Sequence, residues 1–60
     1  MGIMDTTVKG GHVITFDLGL SKGGNTVFRI SWFNGERWSY LHYSNFKEAF
    51  ATYKTIIEMV

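Results

Sequence analysis

The chain has neither cysteine nor proline among its 60 residues. Without cysteine it can form no disulfide and no thiolate metal site, which is typical of proteins from a reducing compartment. No apolar run approaches the roughly 20 residues that span a bilayer, and no signal-peptide pattern occurs. The sequence therefore predicts a cytoplasmic protein without a membrane segment.

Charge is also scarce. Six basic and five acidic residues give a formal net charge of +1. Proteins dedicated to nucleic acids usually carry a clear basic excess, because binding releases counterions from the phosphates. What the chain has instead is apolar side chains: 45% of its residues are hydrophobic and 17% are aromatic. This composition indicates one small globular domain.

Residues 1–10 show no hydrophobic period and end in a Gly-Gly pair, so we interpret them as a flexible leader before a domain at 11–60. Apolar and polar residues alternate over 12–20, which is the period of a strand. Two further strand-like runs cover 25–33 and 36–43. The first strand would be a sheet edge with little charge to protect it. Three arrangements remain open there: cover by the leader from Thr6, pairing with a second copy, or a short twisted edge without cover.

Asn34-Gly35 separates the second and third runs. This dipeptide favours a two-residue hairpin of type I′, in which both residues have positive φ. Such a loop would set Ser31 opposite Trp38 and Arg29 opposite Tyr40, with the guanidinium over the ring.

Asn45, followed by Glu48, has the spacing of a capping box and predicts the start of a helix. Apolar residues then recur at helical spacing to the last residue. The predicted fold is α+β: a three-stranded antiparallel β-meander with one C-terminal helix packed on one face, in the order βββα.

The alternation sorts the strand residues into two faces. A turn centred on Lys22 together with the Asn34-Gly35 loop gathers one set that we assign to the helix-covered face: Ile14, Phe16, Leu18, Phe28, Ile30, Leu41 and Tyr43. The other set forms what we call the open face, which the helix leaves uncovered: Val13, Thr15, Asp17, Val27, Arg29, Ser31, Phe33, Trp38, Tyr40 and His42.

The open face is the candidate binding surface, because contiguous exposed apolar patches usually mark contact sites and because Trp, Tyr and Arg are enriched in interface hot spots. Two alternatives remain. Cross-strand aromatic pairs can simply stabilise a solvated sheet, and a one-residue slip in register would exchange the two faces. The residues predicted to bind a partner are Thr15, Val27, Arg29, Ser31, Phe33, Trp38, Tyr40 and His42.

Catalytic and metal chemistry find little support. Asp17, Ser31 and His42 share the open face, but the predicted register separates them too widely for a nucleophile and its base to bond. His12 and His42 fall on opposite faces, so they do not converge on a metal. The five carboxylates are dispersed. We therefore expect no enzyme activity, no metal, no cofactor and no small-molecule substrate.

The junction Tyr43-Ser44-Asn45-Phe46-Lys47-Glu48-Ala49 follows a hairpin that carries an exposed tryptophan. It resembles the aromatic-x-Thr/Asn-x-x-Glu-Ala junction of the DNA-binding domains of plant ethylene-response factors and of phage integrase arm-site domains. The resemblance implies a three-stranded sheet backed by one helix. It also implies that the sheet enters the major groove, with Arg29, Trp38 and Tyr40 facing the DNA.

The sequence thus predicts a non-enzymatic binding module. The favoured reading is docking of a protein partner, or of a second copy in a homodimer, through the open face. A small regulator or inhibitor of the kind that phages and mobile elements encode would fit this size and charge. The alternative is double-stranded DNA binding by the same face.

Overall fold

The computed structural model describes residues 2–60 and forms a sheet backed by one helix. Its elements are β1 (Gly2–Lys9), β2 (His12–Leu20), β3 (Thr26–Phe33), β4 (Trp38–Tyr43) and α1 (Phe46–Met59). The strands lie in the order β1-β2-β3-β4, and each pairs antiparallel with the next. The α+β class and the single C-terminal helix are confirmed.

The sheet has four strands, so the prediction of three was wrong. The additional strand, β1, lies within residues 1–10, which the sequence had suggested to be a flexible leader. It pairs with β2 from Gly2↔Leu18 to Lys9↔His12, with a bulge at Met4. The edge of β2 is therefore covered by the segment before it, one of the three arrangements left open. The two edges of the sheet are β1 and β4.

Both predicted hairpin registers were displaced by two residues. Ile14 pairs with Trp32 rather than Ile30, and Arg29 pairs with His42 rather than Tyr40. Ser31, expected opposite Trp38, pairs with Tyr40. Because side chains alternate with a period of two, an even displacement leaves every residue on its predicted face.

The displacement at the second hairpin comes from its turn. Asn34 does not have positive φ, whereas Gly35 has φ 101°, so the predicted type I′ turn does not form. Instead the Asn34 carboxamide oxygen accepts the backbone N–H groups of Glu36 (2.9 Å) and Arg37 (3.1 Å). This Asx-type arrangement satisfies the backbone of a wider loop. The strands consequently separate after Phe33 and resume at Trp38.

Helix α1 begins as the capping pattern predicts. Asn45 is the N-cap, and its side-chain oxygen accepts the N–H of Glu48 at 3.1 Å. The apolar side of the helix covers the middle of the sheet. The buried core consists of Ile14, Phe16, Ile30, Ala49, Tyr53 and Ile56.

Strand β1 is tied to the helix by polar side chains. The buried Tyr53 hydroxyl donates to a carboxylate oxygen of Asp5 at 3.1 Å and lies 2.9 Å from the Thr7 hydroxyl. Lys9 donates to the backbone carbonyl of Ile57 at 3.0 Å. Burial raises the pKa of Tyr53, and the hydrogen bond to Asp5 raises it further, although the Thr7 contact acts the other way. The Tyr53 hydroxyl therefore stays protonated in the core, where it donates a hydrogen bond to Asp5.

Candidate functional site

All eight residues predicted to bind a partner lie on the face of the sheet that is opposite α1. The pairings Thr15↔Ser31 and Ser31↔Tyr40 set three of them side by side across the middle of that face. Ser31 is only 7% exposed, whereas Arg29, Trp38, Tyr40 and His42 are exposed. The open face is thus exposed over most of its width, and Ser31 in its middle is buried.

An aromatic cluster occupies the β4 side of the open face. The rings of Phe33 and Trp38 lie 5.2 Å apart, and those of Trp38 and Tyr40 stack 6.3 Å apart at an angle of 12°. Trp38 remains 47% exposed and Tyr40 55% exposed. Each ring therefore rests on a neighbour and presents its other surface to solvent. We call Phe33, Trp38 and Tyr40 the aromatic ridge.

A charged row crosses the sheet beside the ridge. Arg29 lies between Asp17 on β2 and His42 on β4. Its guanidinium donates two hydrogen bonds to the Asp17 carboxylate, at 3.1 and 2.8 Å. These hydrogen bonds and the charge of Asp17 raise the pKa of Arg29. The predicted contact of Arg29 with the Tyr40 ring is replaced by this two-point ion pair, because the register sets Arg29 opposite His42.

A groove lies at the end of the open face farthest from Phe33 and Trp38. Its volume is about 680 Å³. Gly19 pairs with Val27 and contributes no side chain, and a Cβ atom built on Gly19 would meet nothing within 4 Å. We call this feature the Gly19 groove. Its lining includes Ile3, Asp17, Gly19, Val27, Arg29 and His42.

Strand β1 extends the open face in a way that the sequence analysis missed. Ile3, Thr6 and Val8 pair with Asp17, Thr15 and Val13, which places them on this face. Ile3 is 70% exposed and Val8 is 72% exposed. In β1 the apolar Ile3 and Val8 therefore face away from the helix, together with Thr6, whereas Asp5, Thr7 and Lys9 face towards it. No alternation marks this strand in the sequence, because residues 3–8 read Ile-Met-Asp-Thr-Thr-Val and the bulge at Met4 shifts the register within them.

The histidines and the Asp17 carboxylate that the sequence analysis considered for catalysis or metal binding do not converge on one point. Asp17 is held by Arg29, which lies between it and His42, so these residues form no Ser–His–Asp relay. His12 is on the helix side, where its Nδ1 accepts the indole N–H of Trp32 at 3.2 Å. Within residues 2–60, no group of three or more metal-ligating side chains comes together.

Comparisons with known proteins give no relative from which a role could be transferred. No protein-family model, curated protein or solved structure matches this chain. Among residues 2–60, the only helix is too short and too polar to cross a membrane.

Proposed function

We propose that the protein is a binding module that docks a protein partner through the open face. The observation that carries this proposal is the distribution of apolar surface over a sheet with one uncovered side. The aromatic ridge projects from β3 and β4, and β1 adds Ile3 and Val8, which are 70% and 72% exposed. Surfaces of this kind are costly to leave in water and usually mark contact sites.

The orientation of β1 supports the proposal further. An edge strand that only completed the helix-covered core would turn its apolar residues inwards. Here Asp5 and Thr7 bond to Tyr53 on the helix side, while Ile3 and Val8 lie on the open face. Strand β1 thus adds apolar area to the open face, although the same strand carries polar side chains that could have faced solvent there.

The alternative, double-stranded DNA binding by the same face, remains a prediction of the sequence resemblance. It requires cations that are free to contact phosphates. Among the described strand residues of the open face, Arg29 is the only Lys or Arg, and it is paired with Asp17. This charge balance is why we propose a protein partner first.

Photo-crosslinking tests the proposal directly. We would incorporate p-benzoylphenylalanine at position 40, on the ridge, and irradiate cells that express the protein. The matched control carries the same group at position 58, an exposed helix position remote from the sheet. We expect protein adducts from position 40, and we expect Trp38→Ala in the same chain to reduce them. Equal labelling from both positions would rule out docking by the open face.

A DNA-binding experiment distinguishes the alternative function from protein docking. Retention of the protein on double-stranded DNA should fall steeply with salt if phosphates are bound, and Arg29→Ala should weaken it. Salt-insensitive adducts to protein, together with no retention on DNA, would leave only the protein-docking proposal.

A further inference from the structure

The two edges of the sheet differ in their protection against pairing with another strand. Strand β1 carries a bulge at Met4 and the charged side chains of Asp5 and Lys9. Bulges and charges are the usual means by which an edge strand avoids such pairing. Strand β4 has no Asp, Glu, Lys, Arg or Pro, and its register with β3 runs without a bulge. Strand β4 is therefore the edge that is open to a further strand.

The last hairpin shows which backbone groups of β4 have no partner in the sheet. The N–H of Asn34 donates to the carbonyl of Arg37 at 3.2 Å, so residue 37 directs its backbone groups towards β3. In an antiparallel pair this direction recurs at every second residue. The residues between them direct their N–H and C=O groups away from β3, where no strand of residues 2–60 lies: Trp38, Tyr40 and His42.

These three positions are symmetrical about Tyr40, which makes the edge complementary to itself. A two-fold axis perpendicular to the sheet can place a second β4 antiparallel to the first, with Tyr40 opposite Tyr40. Trp38 then lies opposite His42 of the second copy, and the reverse. Each of these is a hydrogen-bonded pair that exchanges both of its N–H···O=C bonds. The pairing therefore satisfies every outward backbone group of the three residues in both copies.

The side chains fit the same register. On the open face, Tyr40 meets Tyr40 and Trp38 meets His42, which extends the stack of Trp38 on Tyr40 across the junction. Aromatic pairs of this kind stabilise neighbouring strands. On the helix side, Leu41 is 39% exposed and lies opposite the small Ser39 of the second copy. Because β4 has no formally charged residue, none of these pairs opposes charges of the same sign.

Closure of the sheet favours a second copy over a foreign strand. In the pair, the strands follow the order β1-β2-β3-β4-β4-β3-β2-β1, so both outer edges are the protected β1. A foreign strand added to β4 would present its own outer backbone groups to solvent. Two-fold pairing thus removes both unprotected edges and creates no new one.

We infer that β4 pairs edge to edge with β4 of a second copy, which joins two four-stranded sheets into one antiparallel sheet with both helices on the same side. This inference goes beyond the proposed function, because the open face of each copy stays uncovered and available. The contact is one strand of six residues, or about 20 Å, and is smaller than a standard interface. We therefore expect a dissociation constant of about 10 μM to 1 mM.

Charges at the two-fold axis test the register. Tyr40→Lys and Tyr40→Glu each set two like charges opposite each other, and Tyr40→Gln is the neutral control. Tyr40 is 55% exposed, so the fold should tolerate all three variants, which circular dichroism checks. In sedimentation equilibrium, each charged variant should dimerise about threefold to fivefold more weakly than Tyr40→Gln. An equimolar mixture of the two charged chains should associate more tightly than either alone, because lysine then faces glutamate.

A proline tests the backbone hydrogen bonds. The N–H of His42 points away from β3, so His42→Pro removes a donor to the second copy and none to the sheet. His42→Ala also lacks the imidazole but keeps the N–H, which makes it the matched control. Since the change acts twice in a two-fold pair, His42→Pro should dimerise about tenfold more weakly than His42→Ala.

Hydrogen exchange of the unmodified chain needs no variant. The amide protons of Ser39 and Leu41 bond to β3 and should exchange slowly at every concentration. Those of Tyr40 and His42 should gain protection only as the dimer forms, because their acceptors belong to the second copy.

Four results overturn the inference: a chain that is still a monomer at about 1 mM; a Lys–Glu mixture that associates no better than its components; equal association of His42→Pro and His42→Ala; or a dimer in which Tyr40 and His42 gain no protection. The mass of the crosslinks from position 40 keeps this inference separate from the proposed function. Adducts of the chain to itself support the edge pair, whereas adducts to other proteins support docking by the open face.

Discussion

The two faces of the sheet come from the same strands and differ in what covers them. On the helix side, Ile14 and Ile30 are 0% exposed and Phe16 is 1% exposed. On the open face, Trp38 and Tyr40 keep about half of their surface in solvent, at 47% and 55%. The alternation of side chains along each strand divides the residues between the two faces, but only the face that the helix covers becomes a buried core. An aromatic residue therefore supports stability on one face and is free for contact on the other.

The comparison also shows that polarity is not what distinguishes the faces. Strand β1 contributes Asp5, Thr7 and Lys9 to the helix side, and each of them bonds to α1. It contributes Ile3 and Val8 to the open face. The covered face accepts polar groups wherever the helix supplies a hydrogen-bond partner.

The same truncation on each face should have very different effects. Phe16→Ala removes a ring that lies within 6.2 Å, between centroids, of the rings of Phe28, Phe46, Phe50 and Tyr53. We expect it to lower the free energy of unfolding by about 3–5 kcal/mol, which is most of the stability of so small a domain. The matched variant Phe33→Ala should cost about 1 kcal/mol, because it loses mainly one aromatic pair. Urea unfolding followed by circular dichroism measures both; equal losses would contradict the distinction between the faces.

Tyr53→Phe should detach β1 from the helix side. It removes the hydroxyl that contacts Asp5 and Thr7 and leaves those polar groups without it, at an expected cost of about 1–3 kcal/mol. Hydrogen exchange should show the largest loss of protection in β1. The control is Tyr43→Phe, which removes a hydroxyl that accepts only from Thr52 at 3.1 Å in a less buried position. Loss of protection spread evenly over the sheet would show that β1 does not depend on Tyr53.

Alkaline pH should act on the covered face through the same residue. The pKa of Tyr53 is raised in the folded protein, first by burial. The unfolded chain therefore loses this proton first, near the ordinary tyrosine pKa of about 10, and the free energy of unfolding falls as pH rises beyond it. Urea unfolding at a series of pH values measures the slope, and Tyr53→Phe should flatten it. An unchanged slope in that variant would assign the effect to other groups.

The ion pair of the open face should contribute least. Asp17→Asn removes the carboxylate charge and one of the two oxygens that accept hydrogen bonds from Arg29, whose side chain is 47% exposed. Exposed pairs are worth about 0.2–1 kcal/mol, and salt reduces that value. We expect a small fall in melting temperature at low salt that shrinks at high salt. Glu36→Gln, an exposed loop carboxylate, is the control; a loss that is independent of salt would mean that Asp17 acts by packing.

Much of the fold could be predicted from local pattern. The alternation from His12 to Leu20 predicts β2 with the observed bounds, and Asn45 with Glu48 predicts the start of α1. The residues were assigned to the correct faces although both predicted registers were wrong, because each register was displaced by an even number of positions. The candidate site depends on that assignment, so its eight residues lie together as predicted, although their neighbours differ.

Strand β1 could not be recognised from its own residues. Its helix-facing side chains are polar, so no hydrophobic period marks that side. Their hydrogen-bond partners, Tyr53 and the carbonyl of Ile57, are separated from them by 46 to 48 positions in the chain. The conformation of the loop after Phe33 could not be predicted either. An asparagine at position 34 can adopt a backbone with positive φ, or its side chain can accept hydrogen bonds from the backbone that follows, and the local sequence does not decide between the two.

The sequence by itself determined which residues share a face, because a period of two needs no knowledge of a partner strand. It also determined where the helix begins, since a cap is a local hydrogen bond. Only the tertiary structure decided the neighbours across each hairpin and the polar attachment of β1. It alone made Gly19 the floor of a groove at the end opposite Phe33 and Trp38. Those features depend on distances between residues far apart in the chain, which no local pattern specifies.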